Sequence, residues 1–180
     1  MKLSRRTHHK TNKGFSLIEL LFSLFILTFG ILAAMTMVIV GVSRNGSNRF
    51  DTTATNVAQT VLEEISGTAP TANPTLTVTD CTGANLQINT AAGGAKLLAN
   101  GYIDFTQAAA TLSANNYQMN YTVCGTNGLQ TTYDVRWHVT QVGPGSTGKL
   151  VIVSARQPFV AKSKGVGFIT PVTLRTIVGM

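Results

Sequence analysis

Acidic side chains are scarce in this chain, and none precedes Gly14. Seven Asp and Glu residues face fourteen Lys and Arg residues over 180 positions, a net charge of +7. Five of the basic residues lie before Gly14: Lys2, Arg5, Arg6, Lys10 and Lys13. Without them nine basic side chains face seven acidic ones, a net charge of +2. The basic character is therefore mainly a property of the N-terminal segment, and it is poor evidence for a nucleic-acid-binding face.

Cysteine and histidine, the usual ligands of zinc, are also few. The only cysteines are Cys81 and Cys124, without a CxxC spacing, and no histidine cluster lies near them in the sequence. A bridge between them would close a loop of about 44 residues and stabilise the fold by about 4 kcal/mol in the chain-entropy model. Two free thiols or a shared metal site are the alternatives. The residues favour a disulfide and give no support for a metal or a cofactor.

Motifs that would indicate catalysis are missing or incomplete. Residues 143–149, followed by Leu150, nearly match a phosphate-binding loop, but Leu150 replaces the Ser or Thr that holds Mg²⁺. The apolar segment that follows predicts a strand instead of a helix, so a hairpin turn is the better interpretation. No Ser/His/Asp or Cys/His spacing is present, and His138 is interpreted as a solvated or hydrogen-bonded strand residue. The sequence predicts a protein that is not an enzyme.

Two features give weak support for a role in binding nucleic acid. Trp137 and Tyr133 could stack on single-stranded bases, but their alternation with polar residues predicts a buried face instead. Lys162 and Lys164 form a small basic stretch, for which a solvated loop is the simpler interpretation. Nucleic acid is therefore a weakly supported partner.

One long apolar run, Phe15 to Val42, is present, and it contains a single carboxylate, Glu19. About 20 apolar residues suffice to cross a bilayer. A carboxylate within such a run costs about 2.5–3.5 kcal/mol at the helix centre and less near an end. That cost makes Glu19 a candidate functional residue, although a side chain near the membrane edge could also reach the headgroups.

The distribution of basic residues predicts the membrane topology. Residues 1–14 are expected in the cytoplasm and residues from about 43 onward outside, because basic residues concentrate on the N-terminal side of the apolar run. Both cysteines then lie in a compartment that permits disulfides. The run is too long for a secretory signal and lacks a small-residue cleavage site after it, but a plain signal anchor remains an alternative.

The stretch Lys13-Gly14-Phe15-Ser16-Leu17-Ile18-Glu19-Leu20 resembles the prepilin signal of type IV pilin-like proteins. The resemblance implies cleavage after Gly14 by a prepilin peptidase and N-methylation of the new terminus at Phe15. It also implies partners: other pilins or pseudopilins in a filament, and an inner-membrane assembly platform. The new α-amino group could pair with Glu19 of its own chain or of a neighbouring subunit in low dielectric, which gives Glu19 an assembly role.

A second helical pattern follows the apolar run. An apolar stripe at helical spacing predicts an amphipathic continuation that ends at Gly67, before Pro70: Phe50, Ala54, Val57, Ala58, Val61, Leu62 and Ile65. The weakest joint is the turn-prone stretch at residues 45–48. The expected organisation is a leader at 1–14, a membrane and assembly helix at 15–42, its amphipathic continuation at 43–67 and a β-rich domain at 68–180.

The remaining chain predicts an antiparallel meander whose apolar face covers the helix stripe. The expected strands are Leu76–Thr79, Asn85–Thr90, Tyr102–Thr106, Tyr117–Val123, Tyr133–Thr140, Leu150–Ala155 and Val172–Val178. The expected fold class is α+β, with one long N-terminal helix packed on an antiparallel sheet. Pilin-like proteins share that architecture.

The functional hypothesis is a structural subunit of a type IV pilus (fimbrium) or related filament, resident in the inner membrane before assembly. The run Ile26–Ala34, together with Ala58-Gln59 and Leu62-Glu63, is similar to V-type minor pilins and to I-type minor pseudopilins of type II secretion. That similarity implies a role in priming assembly. A tip subunit that binds DNA or a surface, and a signal-anchored domain of another activity, are the alternatives.

Overall fold

The computed structural model describes residues 14–69, 71–125, 128–143, 145, 148–158 and 170–179. Helix α1, Leu17–Ser66, is the first element, and it continues through the turn-prone residues 45–48 without a break in its helical assignment. It ends at Ser66, directly before the predicted stop at Gly67. Gly67 N–H bonds Glu63 O at 2.9 Å and so completes the last turn, and Pro70 follows in the sequence. Two compact units divide the chain, with the boundary between Asn45 and Gly46 inside this helix.

The first unit is helical over its described residues from Leu17 onward. Its apolar side chains are exposed, and no part of the segment Leu17–Val42 is buried inside the structure. None of the described residues of this unit covers those side chains, so the segment needs lipid or other helices around it.

The second unit contains the remainder of α1 and two sheets. Strands β1, Thr75–Thr79, and β2, Asn85–Asn89, form an antiparallel hairpin. The larger sheet contains β3, Gly93–Gly94, β4, Gln118–Cys124, β5, Gln130–Val142, β6, Gly148–Arg156, and β7, Val172–Val178. A short helix, α2, spans Ala109–Ser113.

The larger sheet is antiparallel throughout, as the alternating pattern predicts. Strand β5 pairs with β6, and β6 pairs with β7. Strands β4 and β3 share the other edge of β5, at Gln130–Arg136 and at His138–Val139 respectively. Strands β4, β5, β6 and β7 thus form an antiparallel meander, although the sequence did not predict the strand order, and β3 is an added short strand.

The main core lies between the helix stripe and one face of the sheet. Ala58 and Val61 of α1 have no exposed surface, and Trp137 and Val153 of the sheet are equally buried. Leu76 and Leu86 of the small hairpin pack against the same cluster. The α+β prediction, with the apolar face of the sheet on the stripe, is confirmed.

The opposite face of the sheet is also covered. A second apolar cluster combines Ile152 of β6 with Ala95, Ile103 and Leu112 from the segment that links β3 to β4. The sequence did not predict this layer or helix α2, because the segment has no long apolar period of its own.

The predicted strand at Tyr102–Thr106 is wrong. Only one bridge, Leu97 to Ile103, forms there, and residues 105–106 are a turn. Asp104 Oδ1 accepts bonds from Thr106 N–H at 2.8 Å and from Thr106 Oγ1 at 2.6 Å. This local capping holds the backbone in a turn and competes with strand pairing.

Candidate functional site

The N-terminal segment presents an accessible backbone directly before α1. Gly14, Phe15 and Ser16 are not helical, and Phe15 is 80% exposed. A side chain built at Gly14 would meet no atom within 4 Å. Ser16 O accepts bonds from Glu19 N–H at 3.0 Å and Leu20 N–H at 3.2 Å, which closes the first turn. Lys13, the other half of the predicted processing signal, lies outside the described residues.

Glu19 is the only acidic residue in the first turn of α1. Its position there is locally favourable because the helix N-terminus carries a partial positive charge. The side chain is exposed, and no ion pair involving it is present among the described residues. Glu19 O accepts a bond from Ser23 Oγ at 2.8 Å. Its carboxylate is thus available to a partner outside this chain.

The helix segment beyond Glu19 meets the requirements of a membrane span. Residues Leu17–Val42 number 26, with a mean hydropathy of 2.5 and no burial. At about 1.5 Å per residue this length exceeds the hydrocarbon thickness of about 30 Å. Side chains added at Gly30 and Gly41 would meet nothing within 4 Å, so the helix surface is open to close approach at both points.

The two cysteines lie in the second unit and are bonded to each other. The Cys81–Cys124 disulfide has a Cα–Cα distance of 5.8 Å. Cys81 follows β1 and Cys124 ends β4, so the bridge joins the small hairpin to the larger sheet. The favoured interpretation of these cysteines is therefore the one that the structure shows.

Asp80, next to the disulfide, organises this junction. Its Oδ1 accepts bonds from Thr82 Oγ1 at 2.6 Å, Thr82 N–H at 2.9 Å and Ala84 N–H at 3.1 Å. Its Oδ2 accepts from Thr122 N–H of β4 at 3.3 Å. The hydrogen bond from the Thr82 hydroxyl is the main reason that the pKa of this carboxyl is lowered. Burial acts in the opposite direction and raises the pKa, whereas the backbone N–H donors lower it further.

Trp137 and Tyr133, the aromatic side chains that could have stacked on nucleic-acid bases, are part of the core. Trp137 and Tyr133 are 0% and 1% exposed, and Trp137 Nε1 donates to Asn89 O at 2.9 Å. Their interpretation as a buried face is confirmed. His138 is half-buried, with Nδ1 2.8 Å from Ala95 O. The basic pair Lys162 and Lys164 lies outside the described residues.

The glycine-rich segment at 143–148 connects β5 to β6, as the hairpin interpretation requires. Lys149, which would be the phosphate-binding lysine of a nucleotide loop, is 1% exposed. Its Nζ donates to Ala72 O and to Thr90 O, the latter at 3.3 Å. Burial lowers the pKa of this ammonium group. Lys149 is therefore a buried lysine that anchors loop carbonyls.

A buried charge cluster on the second face was not predicted from the sequence. Asp134 Oδ2 is 2.9 Å from Arg136 Nη2 and 3.5 Å from Arg156 Nη2. Both guanidinium groups lie over the Phe105 ring, at 4.9 and 4.2 Å from its centre. Arg136 Nη1 also donates to Gln107 O at 2.8 Å. The cluster fastens the covering segment to the sheet, and the alternation of these residues gave no sign that anything covered them.

Groups that could carry metal chemistry are absent from the part of the chain that the structure describes. No set of three or more His, Cys, Asp and Glu side chains there could hold a metal ion. Two open clefts in the second unit have volumes of about 390 and 320 Å³.

A family model described as the prokaryotic N-terminal methylation motif matches residues 9–35. No curated protein and no solved structure matches the chain.

The matched residues include Gly14, Phe15 and Glu19 and end within the apolar part of α1. The chain thus carries the prepilin-type N-terminal methylation motif. Together with the long apolar helix and the antiparallel sheets that follow it, the motif is consistent with a type IV pilin-like protein. Such proteins are structural subunits, and the motif implies processing by a prepilin peptidase and assembly with other pilins.

Proposed function

We propose that the chain is a minor subunit of a type IV pilus or a related filament and helps to prime its assembly. The observation that carries the proposal is the methylation motif at residues 9–35, which extends into the apolar segment Leu17–Val42 of α1, where no residue is buried. An exposed apolar segment of this length needs lipid before assembly and other helices after it.

The processing step centres on Gly14 and Phe15. A prepilin peptidase cleaves after Gly14, where the backbone is non-helical and the glycine itself has no side chain to obstruct approach. The new α-amino group of Phe15 is then N-methylated and remains cationic.

Glu19 is the acceptor for that cation. It follows Phe15 by four residues, about one helical turn, and it has no ion-pair partner among the described residues. Pairing with the Phe15 terminus of a neighbouring subunit would offset the cost of holding both charges among apolar helices. Glu19 thereby sets the register between subunits.

The proposed topology has residues 1–14 in the cytoplasm and the second unit outside the inner membrane, then in the pilus or pseudopilus. Residues 15–42 form the membrane and assembly helix, 43–67 its amphipathic continuation and 68–180 the outer domain. The Cys81–Cys124 disulfide supports an oxidising compartment for the second unit.

The minor-subunit assignment follows from the run Ile26–Ala34 and from Ala58-Gln59 and Leu62-Glu63, which are similar to V-type minor pilins and I-type minor pseudopilins. A minor pseudopilin of a type II secretion system has the same processing and the same helix. Expression beside each assembly platform in turn separates the two, since only the correct platform should incorporate the chain.

N-terminal sequencing of the protein after co-expression with a prepilin peptidase tests the proposal. The mature chain should begin at N-methylated Phe15. A Gly14→Leu variant should stay unprocessed because its side chain obstructs the approach to the backbone, and a catalytically inactive peptidase is the second control. A mature end other than Phe15, or an uncleaved wild-type chain, overturns the proposal.

The Glu19→Ala variant tests the assembly role separately from processing. Membrane insertion and cleavage should persist, and incorporation into filaments should fall by at least about tenfold, because an unpaired charge in low dielectric costs more than about 1.4 kcal/mol. Ser23→Ala, one turn further along the helix, is the matched control. Immunoblots of sheared filaments measure incorporation, and wild-type levels for Glu19→Ala refute the pairing.

A further inference from the structure

Two open strand edges face each other in the second unit. Strand β2 pairs only with β1, and β4 pairs only with β5. Cys81 N–H bonds Thr122 O, and Asn89 N–H bonds Asn116 O. The chain segment 81–89 therefore runs antiparallel beside the segment 116–124. No backbone hydrogen bond joins the two edges between those contacts in the described residues.

The register identifies the backbone groups that point across this gap. In an antiparallel pair the residues alternate between those that bond the partner strand and those that point away. Asp80 N–H bonds Ala84 O, so Leu86 and Ile88 bond β1, and Asn85 and Gln87 point outward. Trp137 N–H bonds Tyr117 O, so the odd-numbered residues of β4 bond β5. The N–H and C=O groups of Gln118 and Asn120 therefore point outward as well.

The gap is closed at both ends. At one end Asn89 N–H bonds Asn116 O at 2.9 Å. At the other end Cys81 N–H bonds Thr122 O at 3.4 Å, Thr122 N–H bonds Asp80, and the disulfide follows. The result is a short cleft of about 320 Å³ between fixed ends.

The cleft is lined by uncharged polar side chains. Five of its eight lining residues carry a carboxamide, one carries a hydroxyl and none is charged: Asn85, Leu86, Gln87, Ser113, Asn116, Gln118, Met119 and Asn120. Gln118 is 5% exposed, and its Nε2 donates to Asn120 Oδ1 at 2.9 Å and to Asp134 Oδ1 at 3.1 Å. Those bonds fix the amide and leave its Oε1 without a donor among the described residues. Asn116 lines the same cleft at a positive φ of 56°.

We infer that this cleft, which we call the amide cleft, binds a neutral saccharide unit. Sugar hydroxyls both donate and accept, which matches the N–H and C=O groups of the two edges and the carboxamides between them. The volume lies near the lower limit of about 300 Å³ for small-ligand sites. The absence of charge in the lining disfavours acidic sugars and phosphates. An extended peptide is disfavoured because both ends are closed, so a strand could not continue past them.

This inference does not depend on the proposed filament role. The full-length protein in phosphatidylcholine nanodiscs avoids detergents with sugar headgroups. Saturation-transfer NMR and calorimetry would use lactose, N-acetylglucosamine and N,N′-diacetylchitobiose as neutral probes, glucuronate as the charged probe and trialanine as the peptide probe. At least one neutral probe should bind with a dissociation constant below about 20 mM, and glucuronate should bind at least about fivefold more weakly.

Variants of the cleft locate the binding. Asn120→Leu and Gln87→Leu replace a carboxamide by a branched apolar side chain and so remove hydrogen bonds, including the one that Asn116 Nδ2 donates to Gln87 Oε1 at 3.1 Å. Each should weaken neutral-probe binding by about fivefold or more. Asn56→Leu, an exposed asparagine on α1 outside the cleft, should bind as the wild type does. Unfolding midpoints show whether each variant is folded, and Asn85→Leu replaces any that is not. Failure of every neutral probe, unchanged binding by the cleft variants, or binding of trialanine alone overturns the inference.

Discussion

At the scale of single residues, Gly94 is the clearest constraint on the backbone. It has φ +119°, and a Cβ there would lie 2.3 Å from Trp137 O and 3.0 Å from His138 Cα. A contact that close to backbone atoms forces β3 away from β5. Glycine is therefore required both for its conformation and for the approach of the two strands.

We expect Gly94→Ala to lower the free energy of unfolding by about 3 kcal/mol, from backbone strain and overpacking together. Chemical denaturation of the purified protein measures this. Gly83→Ala is the matched control, since Gly83 also has a positive φ, +84°, but nothing within 4 Å of its Cβ position. It should lose only about 1 kcal/mol. Equal losses in the two variants would contradict the steric argument.

Asp80 gives a prediction for pH dependence. Its hydrogen bonds lower the pKa of the folded carboxyl below the ordinary value of 3.8. A lowered folded pKa means that the stabilisation is present above the unfolded pKa and is lost as the pH falls through the folded pKa. Asp104, whose pKa is lowered chiefly by the Thr106 hydroxyl, contributes in the same direction.

Unfolding midpoints measured from pH 6 down to about pH 2.5 should therefore decline below about pH 4. Asp80→Asn should reduce stability at pH 6 and flatten that decline. Asp51→Asn, an exposed position on α1, serves as the control and should keep the wild-type slope. An unchanged slope for Asp80→Asn would exclude the role of its hydrogen bonds.

At the scale of elements, α1 has two different requirements along one helix. Its first part is apolar and uncovered, whereas its last turns bury one stripe against the sheet. Ala58 has 0% exposure in that stripe, and the next residue, Gln59, is exposed. The small side chain at 58 is fully buried in the core between the helix and the sheet, so it leaves little room for a larger one.

Ala58→Leu should accordingly destabilise the second unit by about 1–3 kcal/mol through overpacking. Gln59→Leu inserts the same side chain one position away on the exposed face, and its unfolding free energy should stay within about 0.5 kcal/mol of the wild type. Denaturant titration compares the two. A similar loss in both variants would show that the helix face is not packed as described.

The elements also show which parts of the fold the sequence could predict. The alternation around Trp137 indicated the correct buried face, since strand periodicity depends on local pattern alone. The cover over Arg136 and Asp134 could not be predicted, because it comes from a distant segment held by Phe105 and by loop carbonyls. Lys149 was also beyond sequence reasoning, since its burial depends on the carbonyl groups of Ala72 and Thr90.

In the candidate site, the sequence could indicate only those residues that lie near one another along the chain. Gly14, Phe15 and Glu19 stand close together in the sequence, so their spacing is itself the signal. The amide cleft draws on β2, α2 and β4, and its open backbone edges become visible only from the register of two separate hairpins.

At the scale of the whole molecule, removal of residues 1–14 would change the charge balance. Five of the fourteen basic side chains and none of the seven acidic ones lie there, so the net charge falls from +7 to +2. Attraction of a basic segment to anionic lipid is worth about 1 kcal/mol per residue near the surface. The proposed processing would therefore remove the main electrostatic attachment to the leaflet on the N-terminal side.

Isoelectric focusing of processed and unprocessed protein should show a clear fall in isoelectric point from the value near 9.8 for the full chain. The Gly14→Leu variant, if it stays uncleaved, should remain at the higher value with or without the peptidase. Focusing of the wild type at an unchanged position after peptidase treatment would contradict removal of the basic segment.

The disulfide has a mechanical consequence for a chain that is pulled from its two ends. Cys81 and Cys124 are 43 residues apart in sequence, and their Cα atoms are 5.8 Å apart. A force applied to the termini passes through the bridge, so the enclosed chain cannot extend. That chain corresponds to roughly 140–155 Å of fully stretched length. The closed loop, which contains β2, β3, the covering segment and β4, would then remain unloaded, while β1 before it and β5 after it bear the tension.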